Sequence, residues 1–281
     1  MNQMTSELSS ELPRGTIETT LTYCVDDGTM PVNETKDAVT KMPNYSGNYD
    51  DHVMPIHDAR RRENPLNLEV HGFELVEHNT RVQDFIDVEE IKSTYYAEIE
   101  ELVRKHTGAS RVVIFDHTVR VGDEDKRTEN LLREPVLRVH NDYTEWSGPQ
   151  RVRDILPDEA EDLLKKRFAV IQVWRPIQPV LKTNPLAVCD ARSLPASDLI
   201  IAERRYPDRV GQTYQIKHNN NHEWFYFPDM KREEAIIFKV YESEKDGRAR
   251  FTAHTSFVDP TTPKGAPPRE SIEIRTLAFF D

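Results

Sequence analysis

His140 and Asp142, in Val139-His140-Asn141-Asp142-Tyr143-Thr144, are the two residues of this chain best placed to hold a metal ion together. Two positions apart on an extended strand, their side chains share a face. An imidazole nitrogen and a carboxylate oxygen converging from that face supply two ligands of a 2-His-1-carboxylate set. Such a set grips Fe(II) from one side and leaves coordination positions open. The third ligand must be a second histidine brought in from elsewhere. Taken alone, the pair also describes a surface histidine beside a loop aspartate, so the surrounding elements have to decide.

Those elements are mostly strands. Thr16 to Val25 is rich in β-branched and aromatic residues and reads as a first strand; Asp26 to Asn67 is loop-like in composition, and Phe73 to Glu77 is a short strand. From Val88 to Lys105 the residues Ile91, Tyr95, Ile99 and Val103 recur at helical spacing, and Gly108 supplies the stop. Arg111 to Phe115 reads as a buried strand, and Pro135 to His140 delivers the candidate pair at a strand end. Pro157 to Lys166 is a short helix with acids first and lysines last, the order its dipole favours. Seven further strands are predicted: Phe168 to Trp174, Asp198 to Glu203, Thr213 to Lys217, Trp224 to Phe227, Ala235 to Tyr241, Arg250 to Thr255 and Ser271 to Phe279. Many short strands with few crossover helices predict a mainly β fold with flanking helices, a double-stranded β-helix or jelly roll. Residues 1–15 are polar and read as a disordered arm. Residues 16–281 read as a single jelly-roll domain, with 16–110 as an N-terminal layer of strand, loop and helix.

Composition narrows the function classes. A formal charge of −12 without a basic stripe argues against nucleic acid and against an anionic membrane surface. No apolar run reaches transmembrane length and no secretory signal opens the chain. Cys24 and Cys189 match no zinc spacing and form no disulfide framework, which fits free thiols in a reducing, cytoplasmic setting.

Downstream of a Pro-rich loop, Arg269-Glu270-Ser271-Ile272-Glu273-Ile274-Arg275 alternates Arg, Ser, Glu and Arg on one face with two isoleucines on the other. If the polar face is buried, its arginines need an anion, because an unpaired buried guanidinium costs several kcal/mol. If it is an outer face, it is a row of solvated charges. Periodicity leaves both open.

H-x-D, a distant His, then R-x-S on the next strand is similar to the iron(II)/2-oxoglutarate-dependent oxygenases. More of the chain resembles the largely fungal hydroxylase/desaturase branch, which includes the aspergillic-acid hydroxylase/desaturase type and gibberellin-desaturase-like proteins. The shared stretches are Asp58-Ala-Arg60, His71-Gly-Phe-Glu-Leu75, Thr107-Gly-Ala109, Phe115-Asp-His-Thr118 with Arg120, Val139-His-Asn-Asp-Tyr143, Trp174-Arg-Pro176, Pro185-Leu-Ala-Val-Cys-Asp-Ala-Arg192, Trp224-Phe-Tyr-Phe-Pro228, Phe251 to Pro263 and Pro267-Pro-Arg-Glu-Ser-Ile-Glu-Ile-Arg275. The resemblance implies Fe(II) held by His140, Asp142 and His254, and 2-oxoglutarate held through its far carboxylate by Arg269 and Ser271. It implies O2 as the oxidant and hydrogen abstraction from a small secondary-metabolite precursor, ending in hydroxylation, desaturation or ring closure. A homodimer is compatible with it.

Other residues carry weaker signals. His218 and His222 have the spacing of a helical metal pair, but the three asparagines between them favour a hairpin between Tyr214-Ile216 and Trp224-Phe227. His117, Arg175, Arg192, Trp224 and Tyr226 are candidate substrate contacts, each with an ordinary packing or ion-pair alternative. Two other function classes compete: a metal-binding cupin-like isomerase or binding protein without 2-oxoglutarate, and an interaction domain without metal.

Overall fold

The computed structural model describes residues 14–35, 43–124, 126, 135–207 and 209–281, so all but the last two residues of the expected arm lie outside the described residues. Two sheets face one another. The smaller has the order β5 (Phe73–Glu77), β13 (Glu234–Glu242), β8 (Phe168–Pro176), β15 (Glu270–Phe279) and β6 (Arg111–Val121), every neighbouring pair antiparallel. The larger runs β1 (Thr16–Cys24), β4 (Tyr49–Asp58), β12 (Trp224–Tyr226), β9 (Leu186–Cys189), β14 (His254–Ser256), β7 (His140–Asn141), β11 (Val210–Ile216), β10 (Leu199–Arg205), β2 (Val32–Thr35) and β3 (Pro43–Tyr45). Together they form the double-stranded β-helix.

Three apolar layers hold this arrangement. One lies between the smaller sheet and a helical segment running α1 (Val88–Glu90), a π-helical turn (Ile91–Tyr95) and α2 (Tyr96–Thr107). Asp87 caps the start by accepting the Glu89 and Glu90 amides, and Gly108, at φ 73°, ends it in the left-handed conformation that costs glycine least. The second layer fills the space between the sheets, with Val170, Trp174, Phe238 and Leu277 facing Val188 and Phe225. The third lies on the far side of the larger sheet, where β1 curls back until Thr22 bridges Arg138 and Cys24 bridges Lys217. Because β8 is covered on both faces, it reads as one nearly continuous apolar run. Among the described residues no helix is long and apolar enough to cross a membrane.

The expected hairpin around His218–His222 is replaced by a longer-range arrangement. β12 pairs with β4 and β9 rather than with β11, so these residues form a connection between separated strands. His218 stacks on His52 at 3.5 Å between centroids, and His222 sits 3.1 Å from Asp198.

Candidate metal centre

Short strands bring the candidate ligands together. β7 is two residues long, and in its register His140 lies directly across from His254 on β14 and from Gln215 on β11. Asn141, between the two candidate ligands, is fully buried. Its amide donates to the Tyr143 and Val240 carbonyls and its oxygen accepts the Thr252 amide, which ties β7 to both sheets. The two imidazole centroids are 4.4 Å apart, and one ligand atom from each of His140, Asp142 and His254 lies within 4.8 Å of the others.

Hydrogen bonds fix which atoms face inward. His140 Nδ1 is 2.8 Å from the Arg138 carbonyl and His254 Nδ1 is 3.0 Å from the Thr252 carbonyl. A carbonyl only accepts, so each Nδ1 carries the proton and each Nε2 presents a lone pair. Asp142 Oδ2 accepts from Gln172 Nε2 at 2.7 Å and Arg275 Nε at 3.2 Å, leaving Oδ1 towards the histidines. Two nitrogen lone pairs and a carboxylate oxygen converging without a proton between them are a donor set for a cation.

The charges fit a divalent one. Arg275 pairs with Asp142, Asp116 and Glu273, so three carboxylates around one guanidinium leave a formal charge of −2. Burial works against the Asp142 anion, but Arg275, His140 and His254 hold its carboxyl well below the usual range. Burial, with His140 alongside, pushes His254 from 6.5 down to about 4. Between those values the unfolded chain binds a proton that the folded chain refuses. The metal-free protein is therefore expected to lose stability as pH falls from 6.5 towards 4, by up to ~1.4 kcal/mol per pH unit from this group. Urea unfolding across that window checks it, and a His254→Gln variant should show a shallower slope.

Gly72, within the His71–Leu75 stretch, supports the same histidine from behind. It has φ +92°, and an added Cβ would stand 2.2 Å from Thr252 Oγ1. That hydroxyl donates to the Gly72 carbonyl while the Thr252 carbonyl holds His254. Gly72→Ala is expected to cost about 1–3 kcal/mol of stability through backbone strain. It should also weaken Fe(II) binding, because Thr252 must move. Unchanged Fe(II) affinity in a folded Gly72→Ala protein would show that Thr252 does not set the imidazole.

The polar face of β15 is interior: Arg269, Ser271, Glu273 and Arg275 are 1–7% exposed, while Ile272 and Ile274 pack under the helical layer. Arg269 Nε donates to Ser271 Oγ, and its Nη1 to the Asn184 carbonyl and Ser256 Oγ, each at 3.0 Å. Its guanidinium lies 4.8 Å over the Trp174 ring, and burial pushes it down to about 9. No carboxylate pairs with it among the described residues, whereas Arg275 has three. An unpaired buried guanidinium suits an anionic ligand.

The other sequence candidates lie elsewhere. His117 and Arg175 point into the helical layer: His117 Nδ1 meets Tyr96 Oη at 2.7 Å, and Arg175 donates to the His78 and Arg232 carbonyls. Trp224 and Tyr226 belong to the far side of the larger sheet, with the Trp224 indole donating to Tyr23 Oη, and it is Phe225 and Phe227 that face between the sheets. Arg192 binds Asp190 at 2.6 Å and lines a separate cleft of about 440 Å³ with Arg248 and Arg250. Sequence reasoning passed over Gln172 and Trp174. Both are buried on β8, where Gln172 Oε1 and Trp174 Nε1 have no hydrogen-bond partner among the described residues. A glutamine inside Phe168-Ala-Val-Ile-Gln-Val-Trp174 was the available signal, since a buried amide demands partners.

Comparison with known proteins supplies an independent finding. A family model described as an oxidoreductase/YMDC permease-like domain matches residues 21–279. The chain is 31% identical to hydroxylase/desaturase efuI of Hormonema carpetanum, over 95% of this chain and 96% of that protein. It is 33% identical to the Fe(II)/2-oxoglutarate-dependent dioxygenase nvfI of Aspergillus novofumigatus, over 83% and 84%. Among solved structures it is similar to the iron and alpha-ketoglutarate-dependent endoperoxidase NvfI, with TM-score 0.85 and 28% identity over 95% of this chain and 99% of that one.

Proposed function

The chain belongs to the Fe(II)/2-oxoglutarate-dependent dioxygenase family that these fungal enzymes represent, and from that premise we propose that His140, Asp142 and His254 hold its iron and that Arg269, with Ser271, receives the far carboxylate of 2-oxoglutarate. The enzyme's cofactors are Fe(II), 2-oxoglutarate and O2. The observation that carries the ligand assignment is that one ligand atom from each of His140, Asp142 and His254 lies within 4.8 Å of the others, while both Nδ1 atoms are engaged by backbone carbonyls.

When bound, iron with 2-oxoglutarate supplies oxidative decarboxylation to succinate and hydrogen abstraction from the substrate. The chain's own residues do the rest. The Arg138 and Thr252 carbonyls keep both imidazoles in the tautomer that offers Nε2. Trp174 and Phe238 line the space between the sheets with apolar surface that excludes water, and Phe238 packs edge-on to His254 at 4.9 Å. The substrate is a small molecule; we read it as a secondary-metabolite precursor that is hydroxylated, desaturated or oxidatively cyclised. On the same reading residues 16–281 are one catalytic unit, cytoplasmic and without a nucleic-acid partner, and a homodimer is compatible with it.

Anaerobic addition of Fe(II) and 2-oxoglutarate should give the weak visible metal-to-ligand charge-transfer band. Iron binding without that band would favour the isomerase or binding-protein class, and no iron binding the interaction-domain class. Incubation with amino acids, small peptides and terpenoid acids, with succinate as readout, tests the substrate class. Oxidation of protein or nucleic acid without small-molecule turnover would sink it.

A further inference from the structure

We propose that Gln172 is a positioning residue for the iron: its amide holds one oxygen of Asp142, so that the carboxylate meets the metal through the other oxygen alone. The inference rests on the reading of His140, Asp142 and His254 as ligands. Gln172 is fully buried on β8, in register with Phe238 on one side and Arg275 on the other. Those neighbours contact two of the three candidate ligands. Phe238 packs on His254, and Arg275 Nε reaches Asp142.

The orientation of the amide follows from chemistry. An ionised carboxylate only accepts, so the group facing Asp142 Oδ2 at 2.7 Å must be the NH2. Gln172 Oε1 is then turned away into buried space with no donor among the described residues. Leaving an amide oxygen buried and unpaired is destabilising, so a side chain placed there without a task is disfavoured. Holding Asp142 supplies the task.

For Asp142 to chelate a metal with both oxygens, it would have to give up the Gln172 and Arg275 bonds together. Held as it is, it takes one coordination position. An octahedral ion bound by His140, His254 and one Asp142 oxygen keeps room for a two-point cosubstrate and for dioxygen. A chelating carboxylate would use up one of those open positions. Arg275 serves this purpose less selectively, since it is shared with Asp116, Glu273 and Thr118. A neutral amide, unlike a second cation, also fixes the carboxylate without drawing charge from the oxygen that faces the metal.

The test uses the full chain, metal-free, with Mn(II) and Co(II) as probes. Gln172→Met keeps the length and removes both polar atoms, including the unpaired oxygen; Gln172→Leu is the second variant should the first not fold. The expected result is thermal melting of the metal-free variant close to wild type, with Mn(II) Kd raised about 10–100-fold and an altered Co(II) visible spectrum. A purely structural glutamine would shift melting and leave the Co(II) spectrum alone. His254→Ala, run beside it, separates the two readings. If His254→Ala loses Mn(II) while Gln172→Met binds it with wild-type affinity and spectrum, the positioning role is overturned and the ligand assignment stands. If His254→Ala binds Mn(II) as wild type does, the ligand assignment fails and this proposal with it.

Discussion

Asp142→Ala is expected to leave the metal-free protein folded and to abolish Fe(II) binding and turnover. The fold tolerates the change because Arg275, which would lose one partner, keeps Asp116 and Glu273. The metal does not tolerate it. One of three donor groups disappears, and the cluster loses one of the two uncompensated negative charges that match a divalent ion. Loss of a residue that merely orients a ligand typically costs about 10–100-fold in metal affinity, so loss of the ligand itself should exceed that. His140→Ala and His254→Ala should behave likewise. His218→Ala and His222→Ala should bind Fe(II) normally, since the first side chain stacks on His52 and the second is engaged by Asp198 and Tyr23. Fe(II) titration of the five variants decides the matter. Full activity in His254→Ala, with loss in His218→Ala or His222→Ala, would place the third ligand elsewhere.

What the sequence revealed of this site depended on how far each signal reaches. H-x-D puts two side chains on one strand face, a local rule that needs no tertiary knowledge. The R-x-S strand was half legible: alternation separated Ile272 and Ile274 from Arg269, Ser271, Glu273 and Arg275 but could not say which side was interior. Both sides are covered, by the helical layer and by the opposite sheet. The same double covering hid the direction of β8. In a strand buried on both faces, apolar residues occur at every position, and nothing local assigns Arg175 to one face and Gln172 to the other.

β12 failed for a related reason. Trp224, Phe225, Tyr226 and Phe227 are all apolar, and both faces of their strand are packed, so either alternate pair could have faced the centre. Its partners β4 and β9 come from distant parts of the chain, which is why a hairpin with the neighbouring β11 looked natural. His254 had no local signature either. It sits on a strand of three residues, and only pairing with His140 on β7 makes it a neighbour of His140 and Asp142. Periodicity could not put it in the candidate set; family resemblance named it there.

Arg269→Ala is expected to raise the KM for 2-oxoglutarate about 10–150-fold, the equivalent of the ~1.5–3 kcal/mol carried by a charge-assisted hydrogen-bonded contact. Three observations single out this arginine. Its guanidinium is oriented by Ser271 Oγ, Ser256 Oγ and the Asn184 carbonyl, all of them neutral. Nη2 has no partner among the described residues. Burial pushes the group down to about 9, so a bound carboxylate would relieve a charge that the fold leaves uncompensated. The Trp174 ring lies under the guanidinium, and its indole N–H is buried with no hydrogen-bond partner among the described residues. Ser271→Ala should act more weakly, by loosening the guanidinium rather than removing it. Arg275→Ala should act differently again. It strips the cation shared by Asp142, Asp116 and Glu273, so stability and metal affinity should fall before the cosubstrate KM changes. Titrating 2-oxoglutarate at saturating Fe(II) against the three variants separates these effects. A selective KM defect in Arg275→Ala, with Arg269→Ala normal, would move the anchor six residues along the strand to the arginine that holds Asp142.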